Sequence, residues 1–148
     1  MRRLLVALAR MMMAGIFVVA GWDAFREPGN RPNQAAKLGF GDPELAVRAN
    51  GLGMMVAGSG LGLGIKPKLS ALALIGLLVP TTLAGHAFWD EEQPQAVARQ
   101  RVQFLKNLGL AGGLLAVLAS GGRSRKPTKS AKERDEKHEK GGASKASG

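Results

Sequence analysis

The sequence has no cysteine, and His86 is its only histidine outside the C-terminal segment 120–148. Without cysteine the chain has no disulfide, no thiol nucleophile and no thiolate ligand for a metal ion or cluster. A single histidine does not support bis-histidine haem or a closed zinc site. The adjacent acids Asp90, Glu91 and Glu92 resemble a solvated loop more than a cation site. The sequence thus predicts no metal ligand.

Signatures of common enzyme classes are also missing. No Ser-His-Asp arrangement or flavin fingerprint is recognisable, and "GSGLGLG" at 58–64 is not a dinucleotide loop. The G-x-G-x-x-G pattern would need glycine at position 63 or 65, which are Leu63 and Ile65, and no strand precedes it. The sequence therefore predicts no catalytic residue and favours a protein that is not itself an enzyme.

Charge is scarce in four long stretches, residues 4–25, 46–65, 69–89 and 102–119, and the third contains no charged residue at all. Each stretch has about the length that a helix needs to cross a hydrocarbon core of roughly 30 Å. Too little amphipathic sequence remains to cover four such helices in water. The fold class predicted is all-α: an integral membrane bundle of four transmembrane helices, formed by residues 1–119.

The first stretch also resembles a signal peptide, with basic residues, an apolar core and small residues at Ala20 and Gly21. Its length and the interruption by Arg10 favour a retained helix. Arg10 itself has two interpretations. Its side chain either snorkels to the inner headgroups or finds a partner inside the bundle.

The segment 120–148 holds nine Lys/Arg, four Asp/Glu and almost nothing apolar, so we expect it to be disordered. Anionic lipid is its expected partner. Nucleic acid is disfavoured because acids are interspersed and aromatics are absent. With the tail and the short turn containing Lys66 and Lys68 inside, positive charge predicts that both termini are cytoplasmic.

Small residues recur at four-residue spacing in the second and fourth stretches. Such spacing predicts close helix packing in lipid, where backbones approach through small side chains. The pairs are Gly58 with Gly62, Gly60 with Gly64, and Gly109 with Gly113.

Pro80 lies in the third stretch and removes a backbone hydrogen bond there, so it predicts a kink. Thr81 and Thr82 can satisfy the carbonyls that the proline frees. The kink either serves packing alone or opens a small cavity facing His86.

Polar residues collect at the predicted outer level of all four helices. The candidate cluster consists of Asp23, Asn50, Thr82, His86, Trp89, Lys106 and Asn107. One interpretation is an interfacial belt of tryptophan and snorkelling lysine. The other is an outward-facing pocket in which Asp23 pairs with Lys106 and His86 supplies a group that titrates near neutral pH.

Two motifs, "PTTLAGHAFW" at 80–89 and "QFLKNLGLAGGLL" at 103–115, together with "DPELAVRANG" at 42–51, resemble the DoxX family of small bacterial membrane proteins, in its actinobacterial form. The resemblance covers about residues 4–119 and implies four transmembrane helices. The family's motif positions fall on His86, Phe88, Trp89, Phe104, Lys106, Asn107, Gly112 and Gly113.

What the resemblance implies about function is an accessory subunit, not a catalytic one, of a membrane redox or oxidative-stress system. Its partner would be an oxidoreductase, and quinone is the one cofactor that the resemblance suggests. The alternative is a protein that binds or transports a small molecule or lipid through the outer polar cluster.

Overall fold

A computed structural model of the chain describes residues 1–120. Its elements are α1 (Arg2–Arg26), α2 (Arg31–Ala36), α3 (Pro43–Leu63), α4 (Pro67–Gly85), a 3₁₀ turn (Phe88–Asp90) and α5 (Pro94–Ser120). The predicted disordered segment from residue 121 onward lies outside the described residues. The all-helical fold class is confirmed for the part of the chain that the structure describes.

The long helices begin earlier than the apolar stretches do. α3 begins at Pro43, with Asp42 as its N-cap and the Asp42 side chain accepting a hydrogen bond from the Leu45 amide at 3.0 Å. α5 begins at Pro94 instead of residue 102. Hydropathy marks only the apolar part of a helix, whereas a capping residue followed by proline marks its start. The short helix α2 was not predicted.

The third predicted stretch ends differently from the expected 69–89. α4 stops at Gly85, because His86 leaves helical geometry with φ −133° and ψ 39°, and a separate 3₁₀ turn carries Phe88 and Trp89. The break places His86 at the junction between two elements.

α3 lies between α1 and α4, while α5 packs against α4 and the 3₁₀ turn. The buried core joins side chains from all four long helices, including Phe17, Leu61, Leu74 and Leu114. Successive long helices run antiparallel, so the bundle has two distinct ends. The end with α2 and the 3₁₀ turn is called the cavity end, and the end with the α3–α4 turn at Gly64–Lys66 is called the turn end.

The closest helix contact joins Gly21 of α1 to Gly51 of α3. A Cβ added to Gly51 would lie 2.6 Å from the Gly21 carbonyl oxygen, and one added to Gly21 would lie 2.5 Å from the Gly51 oxygen. Seven residues along each helix, Gly58 approaches Ala14 and Phe17 in the same interface. Only glycine permits this backbone approach, which maximises van der Waals packing between helices in lipid.

Three segments of the described chain are long and apolar enough to cross a membrane: Arg3–Arg26, Pro67–Asp90 and Pro94–Ser120. The 21-residue helix α3 does not join them, because Arg48, Asn50 and five glycines lower its hydropathy. Large apolar side chains on the long helices are exposed, among them Leu4 at 73%, Val56 at 66% and Leu108 at 60%. Such a surface suits hydrocarbon, so the chain is a membrane protein.

Candidate functional site

A cavity of about 570 Å³ opens at the cavity end, between α1, α2, α3, α4 and α5. Its volume lies within the usual range for pockets that bind small molecules. The wall is mostly apolar and includes Phe17, Met54, Leu77, Leu78 and Leu110. A ligand of this cavity would therefore need an apolar body.

Three kinds of polar side chain interrupt the apolar wall. The basic or titratable ones are Arg31, His86 and Lys106, the amides are Gln34, Asn50, Gln103 and Asn107, and the hydroxyl is that of Thr81. Neither aspartate nor glutamate lines the cavity. The polar part of the wall thus favours a ligand that carries hydrogen-bond acceptors or negative charge.

Asn107 lies in the interior of the bundle, with 5% of its surface exposed. Its Nδ2 donates to the Thr82 hydroxyl at 3.0 Å, which links α5 to α4. Asn50 makes the equivalent link from α3, donating to the Thr81 hydroxyl at 3.0 Å. The adjacent residues Thr81 and Thr82 of α4 therefore each accept a hydrogen bond from an asparagine, one on α3 and the other on α5.

Pro80 lies inside α4 directly before these threonines and also lines the cavity. The two hydroxyls donate to the carbonyls of Leu77 and Leu78, at 2.9 and 2.7 Å. The carbonyl that loses its helical partner to a proline belongs to the residue four positions earlier, here Gly76. The threonines thus bond carbonyls next to the one that Pro80 frees, contrary to the prediction.

His86 is half-buried at the end of α4, and its Nδ1 lies 2.9 Å from Gln100 Oε1 on α5. With the Gln100 oxygen as acceptor, Nδ1 carries the hydrogen and Nε2 remains able to accept a proton or a hydrogen bond. A backbone bond from the His86 amide to the Thr82 carbonyl fixes the start of the same junction. His86 thus combines a fixed ring with a lining position.

Trp89 lies beside the cavity and does not line it. Its ring packs edge-to-face with Phe88 and Phe104, with centroids 5.1 and 5.9 Å apart. Trp89 itself is 54% exposed. This arrangement matches an interfacial aromatic anchor that ties the 3₁₀ turn to α5.

Asp23 and Lys106 do not form the predicted ion pair. Asp23 is exposed on α1 and does not line the cavity, whereas Lys106 is exposed at its rim. Among the described residues the one ion pair joins Arg48 to Glu44, at 2.8 Å within α3. Asp23 lies on α1 and Lys106 on α5, two helices that are not principal neighbours in the bundle, and a shared level in the membrane does not reveal which helices are adjacent.

The structure brings Asn50, Thr82, His86, Lys106 and Asn107 to or beside the cavity and leaves Asp23 and Trp89 outside it. It adds lining residues that the sequence did not single out, chiefly Arg31, Gln34 and Gln103. Gln103 lies three residues before Lys106, so helical spacing could have found it. Arg31 and Gln34 reach the site only because α2 folds over it, with Ala35 packed on Ala24 and Val47.

The predicted packing glycines differ in what surrounds them. Gly58 and Gly62 face α1, and a Cβ on Gly60 would lie 2.7 Å from the Ser70 hydroxyl of α4. Gly64 caps α3 in a left-handed conformation with φ 73°. In the predicted pair of α5, Gly109 has nothing within 4 Å of an added Cβ, whereas a Cβ on Gly113 would lie 2.7 Å from Met13 Cε of α1.

Within residues 1–120, no group of three or more histidine, aspartate or glutamate side chains is placed to hold a metal ion. The cavity therefore offers hydrogen-bonding groups, positive charge and one imidazole, and residues 1–120 add no set of metal ligands to it.

Comparison with known proteins gives one match. The family model described as DoxX matches residues 5–87, which is more than half of the 148 residues. The chain belongs to the DoxX family, and the resemblance seen in the sequence is confirmed. No curated protein and no solved structure matches the chain.

Proposed function

We propose that this DoxX-family chain binds an amphipathic small molecule with acceptor oxygens in the cavity, as an accessory membrane subunit of a redox system. Quinone is the ligand class that best suits the wall. Its carbonyl oxygens would meet Lys106, Gln103 and the free imidazole nitrogen of His86, and its tail would contact the apolar wall. The observation that carries the proposal is a polar, acid-free patch set in an otherwise apolar cavity.

The proposal assigns His86 a proton-transfer role near a bound quinone, because a quinone takes up two protons and two electrons when it is reduced to a quinol. The electrons would come from a partner oxidoreductase. His86 Nδ1 is held by Gln100, which leaves Nε2 for exchange with the ligand.

The cavity test is thermal stabilisation of the detergent-purified protein by a short-chain naphthoquinone. Saturating ligand at about 100 times Kd would stabilise the fold by about 2.7 kcal/mol. Ala84→Phe should fill the cavity and abolish the shift. Ala116→Phe, on an exposed part of α5, is the matched control and should keep it. Equal stabilisation of both variants would refute binding in the cavity.

The redox role needs a separate test. Copurification from native membranes should yield an oxidoreductase with the wild-type chain, and deletion of the gene should change sensitivity to oxidants. Unchanged sensitivity together with no copurifying oxidoreductase would leave a binding protein without the redox role.

A second candidate function, binding or transport of a lipid, is favoured by the rim of the cavity. Leu38 and Phe40 line it and are nevertheless 41% and 46% exposed, which provides an apolar route from the bilayer. The same thermal assay with a panel of lipids distinguishes the two ligand classes. Stabilisation by lipids and not by quinones would select this second function.

For topology we propose four membrane passages with both termini in the cytoplasm of a bacterial cell, across its plasma membrane. α3 would cross as well because it packs along α1, despite its lower hydropathy. Since the chain has no cysteine, a single introduced cysteine reports directly on which side of the membrane it lies. Glu92→Cys should react with an impermeant maleimide from outside, and Lys68→Cys only after permeabilisation. The reverse labelling would invert the topology.

A further inference from the structure

Arg10 interrupts an otherwise apolar run of α1, and its side chain is turned inward at the turn end. An added Cβ on Gly64, the residue that caps α3, would lie 3.3 Å from Arg10 Nη2. The Nε of Arg10 is buried and has no hydrogen-bond partner among the described residues. An unsatisfied buried N–H of a charged group is costly, and because protein atoms cover Nε, an acceptor from outside would reach the Nη1 and Nη2 end of the guanidinium.

The described protein offers no carboxylate to fill that need. All Asp and Glu residues of the described range lie toward the cavity end: Asp23, Glu27, Asp42, Glu44, Asp90, Glu91 and Glu92. The turn end carries Arg3, Arg10, Lys66 and Lys68 instead. Positive charge at this end is therefore uncompensated by any carboxylate of residues 1–120.

The α3–α4 turn and the N-terminal part of α1 differ in how far they extend at this end. α1 continues for eight residues beyond Arg10, about 12 Å at 1.5 Å per residue, while the α3–α4 turn ends beside Arg10. The overhanging part of α1 exposes Leu4, Leu5 and Leu8, which suit contact with acyl chains. Lys66 and Lys68 are exposed on the turn itself.

We propose that the turn end binds the phosphate of one anionic phospholipid, with the partly buried Arg10 as its central ligand and Lys66 and Lys68 at the rim. The planar guanidinium matches a phosphate with two parallel hydrogen bonds, whereas each lysine contributes a point charge. The apolar overhang of α1 would contact the chains of lipids around it. The inference rests on insertion in the membrane and not on the identity of the cavity ligand.

The experiment is native mass spectrometry of the full-length protein, titrated in detergent with phosphatidylglycerol or with phosphatidylcholine of the same chains. The wild-type protein should retain one phosphatidylglycerol and discriminate against phosphatidylcholine. Arg10→Gln should lower the affinity for phosphatidylglycerol about tenfold, the loss expected for charge-assisted hydrogen bonds. Arg3→Gln, which removes the same charge from an exposed position of the same helix, should change it less than twofold.

Equal losses in the two variants would mean general charge attraction and would overturn the site. Unchanged affinity in Arg10→Gln would overturn it too. If Arg10→Gln fails to fold, Arg10→Lys retains the charge without the two parallel N–H donors of the guanidinium. An affinity of this variant for phosphatidylglycerol below that of wild type, yet above the affinity for phosphatidylcholine, supports arginine as a bidentate ligand. Full wild-type affinity in Arg10→Lys would contradict it.

Two other anions could occupy the site, and each is tested in a separate experiment. Inorganic phosphate that displaces phosphatidylglycerol at equal concentration would assign the site to free phosphate and not to lipid. A full-length variant with Glu133→Gln, Asp135→Asn, Glu136→Gln and Glu139→Gln tests the carboxylates of the C-terminal segment. If that variant binds phosphatidylglycerol far more tightly than wild type does, those carboxylates are the native occupant and the lipid proposal fails.

Discussion

The α1–α3 and α4–α5 interfaces hold the bundle together by different means. α1 and α3 meet through backbone contact at Gly21 and Gly51, and their one side-chain hydrogen bond among the described residues runs from Arg48 to the Phe25 carbonyl at the end of α1. α4 and α5 meet through the buried hydrogen bond between Thr82 and Asn107 and through His86 with Gln100. The first interface has no room for adjustment, whereas the second has polar groups that open onto a cavity.

This difference teaches where a ligand can act. Close-packed backbones resist displacement, because every substitution forces atoms into contact. Polar side-chain contacts between membrane helices contribute modestly, on average about 0.6 kcal/mol. We therefore expect α1 and α3 to form the fixed half of the bundle and α5 to be the helix that responds to occupancy of the cavity.

The largest effect should come from Gly51→Ala. The added Cβ would meet the carbonyl oxygen of Gly21, which is backbone and cannot move aside cheaply, so we expect a loss of about 3 kcal/mol in unfolding free energy. Gly109→Ala is the matched control, since nothing lies within 4 Å of its Cβ, and should cause no loss but a gain of up to about 1 kcal/mol from helix propensity. Thermal unfolding in detergent measures both. Equal effects would remove the contrast between the interfaces.

A smaller effect is expected at the polar interface. A double-mutant cycle of Asn107→Leu and Thr82→Val should give a coupling energy of about 1 kcal/mol, the upper range for hydrogen bonds between membrane helices. Pairing Asn107→Leu with Thr81→Val is the control, because the Thr81 hydroxyl receives Asn50 instead. A coupling energy near zero in the first cycle would mean that the bond does not stabilise α5 against α4.

Gly113→Ala should cost less than Gly51→Ala although its Cβ would also be crowded. The nearest atom, at 2.7 Å, is the Cε of Met13, the far end of a flexible side chain. Rotation of Met13 should limit the loss to below about 1 kcal/mol. A loss equal to that of Gly51→Ala in the same thermal assay would show that α5 is as tightly held as α3.

The smallest effect is expected for Asp23→Asn. Asp23 is exposed and forms no ion pair with Lys106, so stability should change by less than about 0.5 kcal/mol. A cycle with Lys106→Gln should give no coupling energy. Coupling above about 1 kcal/mol would restore the predicted pair and would bring the Asp23 side chain to the rim of the cavity beside Lys106.

The apolar stretches predicted helices well because their length and lack of charge are properties of the chain itself. They located α1 to within two residues, yet they missed the first eight residues of α5, where Arg99 and Arg101 make the helix polar. Pro43 after Asp42 and Pro94 after Gln93 were the stronger signals for helix starts. Hydropathy indicates whether a segment lies in lipid or in water, whereas capping residues and proline indicate where the helical backbone begins.

The candidate site was partly predictable for a similar reason. Depth along a helix follows from sequence position, so His86, Asn107 and Lys106 were assigned to one level. Rotation about the helix axis depends on which neighbour is contacted, so Asp23 could not be separated from them. The four-residue glycine spacing likewise drew attention to Gly109 and away from Gly21 and Gly51. Those two glycines contact each other across two helices, and the next contact of the same interface, between Ala14 and Gly58, lies seven residues further along each helix.

The sequence alone determined that the described chain is helical, largely apolar and a member of the DoxX family, because composition and motif order do not depend on packing. Tertiary structure decided that Gly21 meets Gly51, that Asn107 reaches Thr82 and that Arg10 lies against Gly64 with no carboxylate of residues 1–120 beside it. Those pairs join residues far apart in the chain, and only the rotation and crossing of packed helices bring them together.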